Sequence, residues 1–374
     1  MVFHREDAQP ELSDANDRVD SLLASAEAHE DAQRWDDAAN AYVEALGIEP
    51  DCAEAALGLG MMWMRAGQYE GAMEYLMLAA ELDPEDALYW RELGIALSRT
   101  GKPEESLAAF EASLECDPLH EQTFVRIAEA KFRLLRFEDV LAYVNAMPQL
   151  HPRHPELPAL QAGSLLALGR LPAARAAALK GNTLFPDNPR LLAIAGNIES
   201  LADDPDAAEG HLRRALMLAP EQYDAMVGLA AVLAAREPTA ECRDLLDRAV
   251  VLAPDRPDAP LLLATLAFQA GDKAGLEHWT REGLKIAPWH PGLLYFLGCL
   301  AAGEGKPDAA EAVFGAAVTI NPLHQASQFA LARLLLQRHE LPRARIHLGN
   351  TIRIGAATAQ GKAAADMLRQ VNRT

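Results

Sequence analysis

An all-α solenoid of tandem helical hairpins, each 34 residues long, is the fold class that the sequence predicts. Three observations predict it: prolines recur at a strict 34-residue spacing, the segments between them carry apolar residues at helical spacing, and a glycine recurs where a helix should end. A repeat period of roughly 20 to 50 residues is typical of solenoids. The repeat prolines are Pro50, Pro84, Pro118, Pro152, Pro186, Pro220, Pro254, Pro288 and Pro322.

Each repeat is predicted to contain two helices. In the unit from Ala87 to His120, Gly101 ends the first helix, and Pro103 begins the second, where its missing N–H costs nothing. Residues that recur every three or four positions share one face of a helix, so the pattern predicts an αα-hairpin. The residues on these faces are Trp90, Leu93, Gly94 and Leu97 in the first helix and Leu107, Phe110 and Leu114 in the second.

The period divides the chain into ten hairpins within residues 19–358, starting near 19, 53, 87, 121, 155, 189, 223, 257, 291 and 325. Residues 1–18 are expected to be a mobile N-terminal segment. Residues 359–374 are expected to form a capping helix and tail, because the last hairpin of a solenoid has no following repeat to cover its apolar face. No linker-like tract interrupts the chain, which indicates one continuous architecture.

Composition excludes several classes of protein. Half of the 374 residues are hydrophobic and 24% are charged, which is typical of a globular chain. The formal net charge of -20 disfavours binding to nucleic acid or to an anionic membrane surface. The N-terminus has no apolar leader region and the longest apolar stretches are too short to span a bilayer. We therefore expect no membrane insertion and a cytoplasmic location.

Four histidines recur in one place, two residues after a repeat proline. Asp86, Asn188 and Gln222 occupy that place in other repeats, so we interpret it as the helix-capping position. The pair of histidines in "HPRHP", residues 151–155, is interpreted as part of an inter-repeat turn, because a metal site normally has three or four ligands. The recurring histidines are His120, His154, His290 and His324.

Catalytic chemistry is not predicted. The sequence has no phosphate-binding loop, no GxSxG, no HExxH and no paired CxxC motif. Pairs of carboxylates open several second helices, where negative charge suits the helix dipole. We expect no enzyme activity, no metal and no cofactor.

Trp90, Leu93, Gly94, Phe110 and Pro118 match the pattern W-x2-L-G-x2-Y, then A-x3-F, then P, of the tetratricopeptide repeat family. The chain resembles this family from about residue 19 to residue 356. The resemblance implies a right-handed superhelix whose first helices line a concave groove that binds partner peptides. The Lys, Asn, Lys and Arg set with which some members clamp chaperone tails is not reproduced.

The predicted groove has a basic part and a later aromatic part. Arginines cluster in three early repeats of an acidic chain, so we expect them to bind an acidic segment of a protein or peptide partner. A cation near the end of a helix also suits the helix dipole, and this alternative explains several of the arginines without a partner. Tyr295 and Phe329 are expected to hold an apolar part of the same partner or of a second one. The candidate residues are Arg65, Arg91, Arg99, Arg126, Arg133, Arg190, Asn197, Phe268, Tyr295, Phe329 and Arg333.

The function that this resemblance implies is a non-catalytic interaction scaffold or adaptor. Abundant Ala and an excess of Arg over Lys favour a bacterial protein, for which we expect a role as a chaperone or assembly factor of a secretion or envelope machine. Two alternatives stay open: a regulatory or targeting subunit of a separate enzyme, and a scaffold that assembles with itself. The sequence predicts no particular oligomeric state.

Overall fold

The computed structural model describes residues 9–372, with side chains from residue 15 onward. This part of the chain contains 21 α-helices, one 3-10 helix and no strand. The helices are α1 Gln9–Asp31, α2 Trp35–Ile48, α3 Ala53–Arg65, α4 Tyr69–Leu82, α5 Ala87–Arg99, α6 Pro103–Cys116, α7 Glu121–Arg133, α8 Phe137–Asn145, 3-10 Pro148–Leu150, α9 Glu156–Ala167, α10 Leu171–Leu184, α11 Pro189–Leu201, α12 Pro205–Leu218, α13 Tyr223–Arg236, α14 Ala240–Leu252, α15 Asp258–Ala270, α16 Lys273–Ile286, α17 Pro291–Gly303, α18 Pro307–Ile320, α19 Gln325–Gln337, α20 Leu341–Gly355 and α21 Ala359–Val371.

The chain divides into two compact units, residues 1–186 and residues 187–374, which we call unit 1 and unit 2. Unit 1 contains α1–α10 and unit 2 contains α11–α21. In both, each odd-numbered helix up to α19 packs against the helix that follows it, and most second helices also pack against the next pair. The predicted all-α class and the tandem hairpins are confirmed. Continuity of one superhelix through both units, and its handedness, stay predictions.

Small residues let the two helices of a hairpin approach closely. A Cβ added at Gly94 would lie 2.6 Å from the Phe110 ring, and one at Gly298 would lie 2.5 Å from the Phe314 ring. Ser106, which replaces the alanine of the family pattern, donates a hydrogen bond of 2.8 Å to the Gly94 carbonyl. A larger residue at either glycine would therefore push the paired helices apart.

The turn inside each hairpin uses left-handed backbone. Gly67, Gly101, Gly169, Gly271 and Gly305 have φ between 70° and 76°. The same register position holds Gln33, Leu135, Asp203 and His339 at φ 57° to 62°, although non-glycine residues are strained there. Glu237 is the exception at φ −157°. Pro238 follows it, and the proline ring favours extended backbone in the preceding residue.

The hairpin of α7 and α8 departs from its neighbours. Its second helix has only 9 residues and is followed by the 3-10 turn Pro148–Leu150. Pro148 lacks the N–H that a continued helix would require, and Met147 before it has left the helical backbone region, at φ −126° and ψ 58°. The second helix of this repeat is therefore shorter than the second helices of the other repeats, which have 13 to 15 residues.

The helix-capping interpretation holds for some residues and fails for others. Asp86, Asn188, His120 and His324 each accept a hydrogen bond from a backbone N–H in the first turn of the following helix. Gln222 and His290 stand at the same place without such a bond. His154 is not a cap: α9 begins at Glu156 behind Pro155, and the His154 ring contacts Glu121.

The two ends of the chain also differ from a simple repeat. Helix α1 begins at Gln9, inside the segment expected to be mobile, and residues 1–8 lie outside the described part. Helix α21 packs on α19 and α20, where Ala364 joins Ala332 and Leu348 in a buried cluster. Thr358 caps α21 by accepting a hydrogen bond from the Gly361 N–H at 3.0 Å.

Candidate functional site

Two of the predicted basic residues of unit 1 contact neighbouring groups of the protein itself. The Arg65 guanidinium lies over the Trp35 ring, 3.7 Å from its centroid. Arg133 donates hydrogen bonds to the Ser98 hydroxyl at 2.5 Å and to the Ser98 carbonyl at 3.1 Å. These contacts join consecutive repeats, so both side chains have a structural role.

Arg91 and Arg126 lie in a mixed cluster of charges. Arg91 is 3.3 Å from His120 and 3.6 Å from the Glu92 carboxylate. Arg126 donates a hydrogen bond of 2.9 Å to Glu129. Burial raises the pKa of Glu92, while the two arginines oppose that rise. The positive charge predicted at this place is thus largely balanced by carboxylates.

Arg99, Arg190 and Asn197 do not join either group of predicted residues. Arg99 is exposed, and no hydrogen bond or ion pair of its side chain is found in the described part of the chain. Arg190 and Asn197 lie half-buried on α11. The Asn197 side-chain oxygen lies directly against Gly228 of α13, where it fills the space that a Cβ would take.

The later predicted residues meet in unit 2. Phe268, Tyr295, Phe329 and Arg333 line one pocket of about 220 Å³, to which Cys299 and Phe314 also contribute. We call this set of six residues the aromatic pocket. Phe268 comes from α15, Tyr295 and Cys299 from α17, Phe329 and Arg333 from α19, and Phe314 from α18. Three consecutive first helices therefore supply the residues that the sequence predicts.

Tyr295 is the centre of the aromatic pocket. Its ring centroid is 6.1 Å from both Phe268 and Phe314 and 5.3 Å from Phe296. Burial, with the hydrogen bond between Tyr295 and Cys299, raises the pKa of the phenol. Tyr295 is thus a neutral, fixed side chain, while Phe268 leaves 43% of its surface exposed beside it.

Arg333 gives the aromatic pocket a cation. Its guanidinium lies 6.0 Å from the Phe329 ring centroid, a distance at which ring and cation attract each other. The side chain is exposed, and no carboxylate among the side chains described from residue 15 onward forms an ion pair with it. An apolar surface beside an unneutralised guanidinium suits a ligand that carries both an apolar side chain and a carboxylate.

Sequence reasoning missed Phe314 and the histidines beside the pocket. Phe314 is 3% exposed and has the sequence signature of a core residue of the repeat, yet its ring also lines the aromatic pocket. His290 and His324 line a second pocket that shares Tyr295 and Ala326 with the first. The only signal for them was their position at the start of α17 and α19, which we interpreted as capping.

The described residues include neither a cluster of metal-ligating side chains nor a membrane-spanning helix. No group of three or more His, Cys, Asp or Glu side chains among the described side chains, residues 15–372, is arranged to hold a metal. His151 lies 3.3 Å from the Val144 carbonyl and His154 lies 3.0 Å from Glu121, so both rings of "HPRHP" have protein partners. No helix in the same range is long and apolar enough to cross a membrane.

Stacked helical hairpins with a side-chain pocket on consecutive first helices define the class of helical repeat proteins. The family described as "Tetratricopeptide repeat" matches residues 23–87, 77–121 and 295–362. These segments of the chain are tetratricopeptide repeats. The matched segments include α17 and α19 of the aromatic pocket, and residues 122–294 lie outside them. That all ten hairpins are repeats of this family stays a prediction.

Comparison with other proteins adds two distant likenesses. No curated protein matches the chain in sequence. One similar solved structure is described as the APC/C hetero-tetramer Cut9-Hcn1, with 13% identity over 95% of this chain and 96% of that chain, at a TM-score of 0.46. Another is yeast Tom70, with 14% identity over 96% of each chain, at a TM-score of 0.45. Likeness at this level carries no conclusion about function.

Proposed function

We propose that the protein is a non-catalytic interaction scaffold that binds a segment of a partner protein at the first helices of unit 2. The observation that carries this proposal is the aromatic pocket, in which Phe268, Tyr295, Phe329 and Arg333 come together. Rigid aromatic side chains and arginine dominate the binding energy of protein interfaces. No titratable group in this pocket is arranged as a nucleophile with a base, so binding is the chemistry that its residues support best.

The partner segment that we propose is acidic and contains an apolar anchor. The anchor would pack between Tyr295 and Phe329, and a neighbouring carboxylate would pair with Arg333. The guanidinium can hold a carboxylate through two parallel hydrogen bonds, which fixes the direction of the bound segment. In unit 1, Arg91 and Arg126 already contact Glu92 and Glu129, so we assign them a smaller share of the binding energy.

The cellular role that we propose is an adaptor, chaperone or assembly factor of a bacterial secretion or envelope machine, acting in the cytoplasm. Abundant Ala and Arg support a bacterial source. The net charge of -20 supports a protein partner and opposes nucleic acid as one.

Affinity capture from the native host, followed by calorimetry with the captured partner, tests the proposal. Tyr295→Ala/Phe329→Ala should weaken binding by tenfold or more, since removing one interface hot spot costs about 2 kcal/mol. Arg333→Gln should weaken it less, and the loss should shrink at high salt because exposed charges are screened. Trp289→Ala is the matched control, since Trp289 is 71% exposed in the turn before α17 and lies outside the pocket. Unchanged affinity in the aromatic double variant would refute the proposed site.

A further inference from the structure

A second pocket of about 390 Å³ adjoins the aromatic pocket in unit 2. His290 and His324 line it, together with Leu261, Thr265 and Asn321, and Tyr295 and Ala326 line both this pocket and the aromatic pocket. We call it the histidine pocket. The two histidines stand at the N-cap positions of α17 and α19, so the N-terminal ends of both helices lie at its edge. Helix N-termini favour negative charge.

The repeats offer a direct comparison of three capping histidines. His120 Nδ1 is 2.9 Å from the Thr123 hydroxyl, and His324 Nδ1 is 2.7 Å from the Ser327 hydroxyl. The equivalent residue after His290 is Leu293, which has no hydroxyl. The buried His290 Nδ1 accordingly has no hydrogen-bond partner. A buried ring nitrogen without a partner carries a free-energy cost that a bound ligand can remove by reorienting or charging the ring.

The carboxylate that acts on the histidine rings is already paired with an arginine, so the charges around the rings permit an anion to bind. Burial lowers the pKa of both His290 and His324, and His290 lowers that of His324 further. The carboxylate that acts on His290 is Asp258 of α15, which opposes the lowering while it pairs with Arg256 at 3.2 Å. The other polar groups that line this pocket are Thr265, Asn321 and the neutral Tyr295. Asn321 already accepts a hydrogen bond from the Leu323 N–H at 2.9 Å.

We propose that His290 and His324 form a subsite for a carboxylate of the bound segment, with proton uptake from solvent when that carboxylate enters. The proposal rests on the proposed function, since the same segment would place its apolar anchor in the adjoining aromatic pocket. A carboxylate between the rings stabilises their protonated forms, and each ring can then donate an N–H to it. Binding at this subsite therefore strengthens as the pH falls through the range in which the rings take up protons.

The test is an NMR titration of the ring Cε1–H signals of the full chain from pH 8 to pH 5. It is run in sodium acetate and in sodium chloride of equal ionic strength. In acetate the pKa values of His290 and His324 should both rise by about 0.5 or more, where a rise of 1 would mean tenfold tighter binding of acetate to the charged ring. His339, exposed in a turn of the same unit, is the internal reference, and its signal should not depend on the anion.

Two variants make the test specific. Asn188 caps the equivalent helix α11, so His290→Asn and His324→Asn should keep the fold. Each should abolish the acetate effect on the remaining histidine, whereas His120→Asn in unit 1 should leave it unchanged. Equal titration of both rings in acetate and chloride would overturn the proposal. So would an effect produced by inorganic phosphate and absent with acetate, because the pocket would then select phosphate.

The result is independent of the partner-binding experiment. If acetate leaves both rings unaffected while the aromatic variants lose the partner, the scaffold function stands and the carboxylate subsite is wrong. If acetate acts on both rings while the aromatic variants bind the partner normally, the subsite exists and the proposed partner site is wrong.

Discussion

Three of the predicted groove arginines in unit 1 contact other groups of the same chain, whereas Arg333 in unit 2 forms no ion pair with a described carboxylate. In unit 1, Arg65 stacks on Trp35, Arg133 contacts Ser98, and Arg126 pairs with Glu129. In unit 2, Arg333 has only the Phe329 ring beside it and no ion pair within the described residues. A cation in a sequence pattern is therefore a stronger binding candidate where the same chain provides no carboxylate or carbonyl to pair with it and no ring in close contact, as Trp35 is with Arg65 at 3.7 Å.

The largest effect that we expect compares two phenylalanines in the same register. Phe110→Ala in unit 1 and Phe314→Ala in unit 2 should each lower the free energy of unfolding by about 3–5 kcal/mol, because both rings are buried against a glycine. Only Phe314 lines the aromatic pocket. Urea unfolding should give similar losses, and calorimetry below the unfolding midpoint should show weaker partner binding for Phe314→Ala alone. Equal loss of binding in both variants would contradict the difference between the units.

Acid should act on unit 2 in the range from pH 7 to pH 5. Burial lowers the pKa of His290, His324 and His347 below 6.5 in the folded state, so the unfolded chain binds more protons there. The stability that these histidines give is complete above about pH 6.5 and is lost as the pH falls through that value and the folded-state pKa values. Hydrogen exchange at pH 7.5 and pH 5.5, corrected for intrinsic rates, should show reduced protection in α17 and α19. Equal protection of both helices at the two pH values would contradict the prediction that protonation of these histidines destabilises unit 2.

A smaller effect concerns the hairpin turns. Leu135 in unit 1 is 71% exposed at φ 57°, so Leu135→Gly should raise the free energy of unfolding by up to about 1 kcal/mol, as left-handed strain is removed. Gly305→Ala in unit 2 should lower it by a similar amount. Glu237→Gly is the control, since its extended backbone gains nothing from glycine. Thermal melts measure all three, and stabilisation by Glu237→Gly would show that turn strain is not the cause.

The smallest effect should come from the exposed ion pairs of unit 1. Arg126→Gln removes a pair with Glu129 in which the arginine side chain is 48% exposed, and we expect a loss of about 0.5 kcal/mol or less. Unfolding in low and high salt checks this, because screening should remove most of the difference. A loss that persists at high salt would mean that Arg126 supports the fold in some other way.

The repeat was predictable because its signals are short-range. Prolines 34 residues apart and glycine before a helix start depend on local backbone geometry, which a single sequence displays. The short helix α8 was missed because Pro148 acts within one repeat, and the period averages over such differences. His154 was misassigned as a cap because Glu121, its partner, lies 33 positions away in sequence.

The site was predictable only in part, for a related reason. Helical spacing determines which face of a helix a residue lies on, so the sequence predicted these groove residues: Phe268, Tyr295, Phe329 and Arg333. Spacing does not specify side-chain rotamers, and the contacts of the arginines depend on them. Examples are the contact of Arg65 with Trp35 and those of Arg91 with Glu92 and His120. Phe314 was not among the predicted site residues, because a buried core residue and a pocket wall have the same sequence signature.

Each hairpin contacts mainly its neighbours in sequence, and this contact pattern affects how the chain folds and unfolds. Contacts at short sequence separation require little loop closure, so such chains fold quickly and a nucleus can form in any repeat. Helix α8 has 9 residues, so it offers adjacent helices a smaller packing surface during folding than helices of 13 or 14 residues do. Folding should therefore spread from both sides toward residues 137–150. Under mechanical force these residues should unfold first, so that Pro148 determines where unfolding of the chain begins.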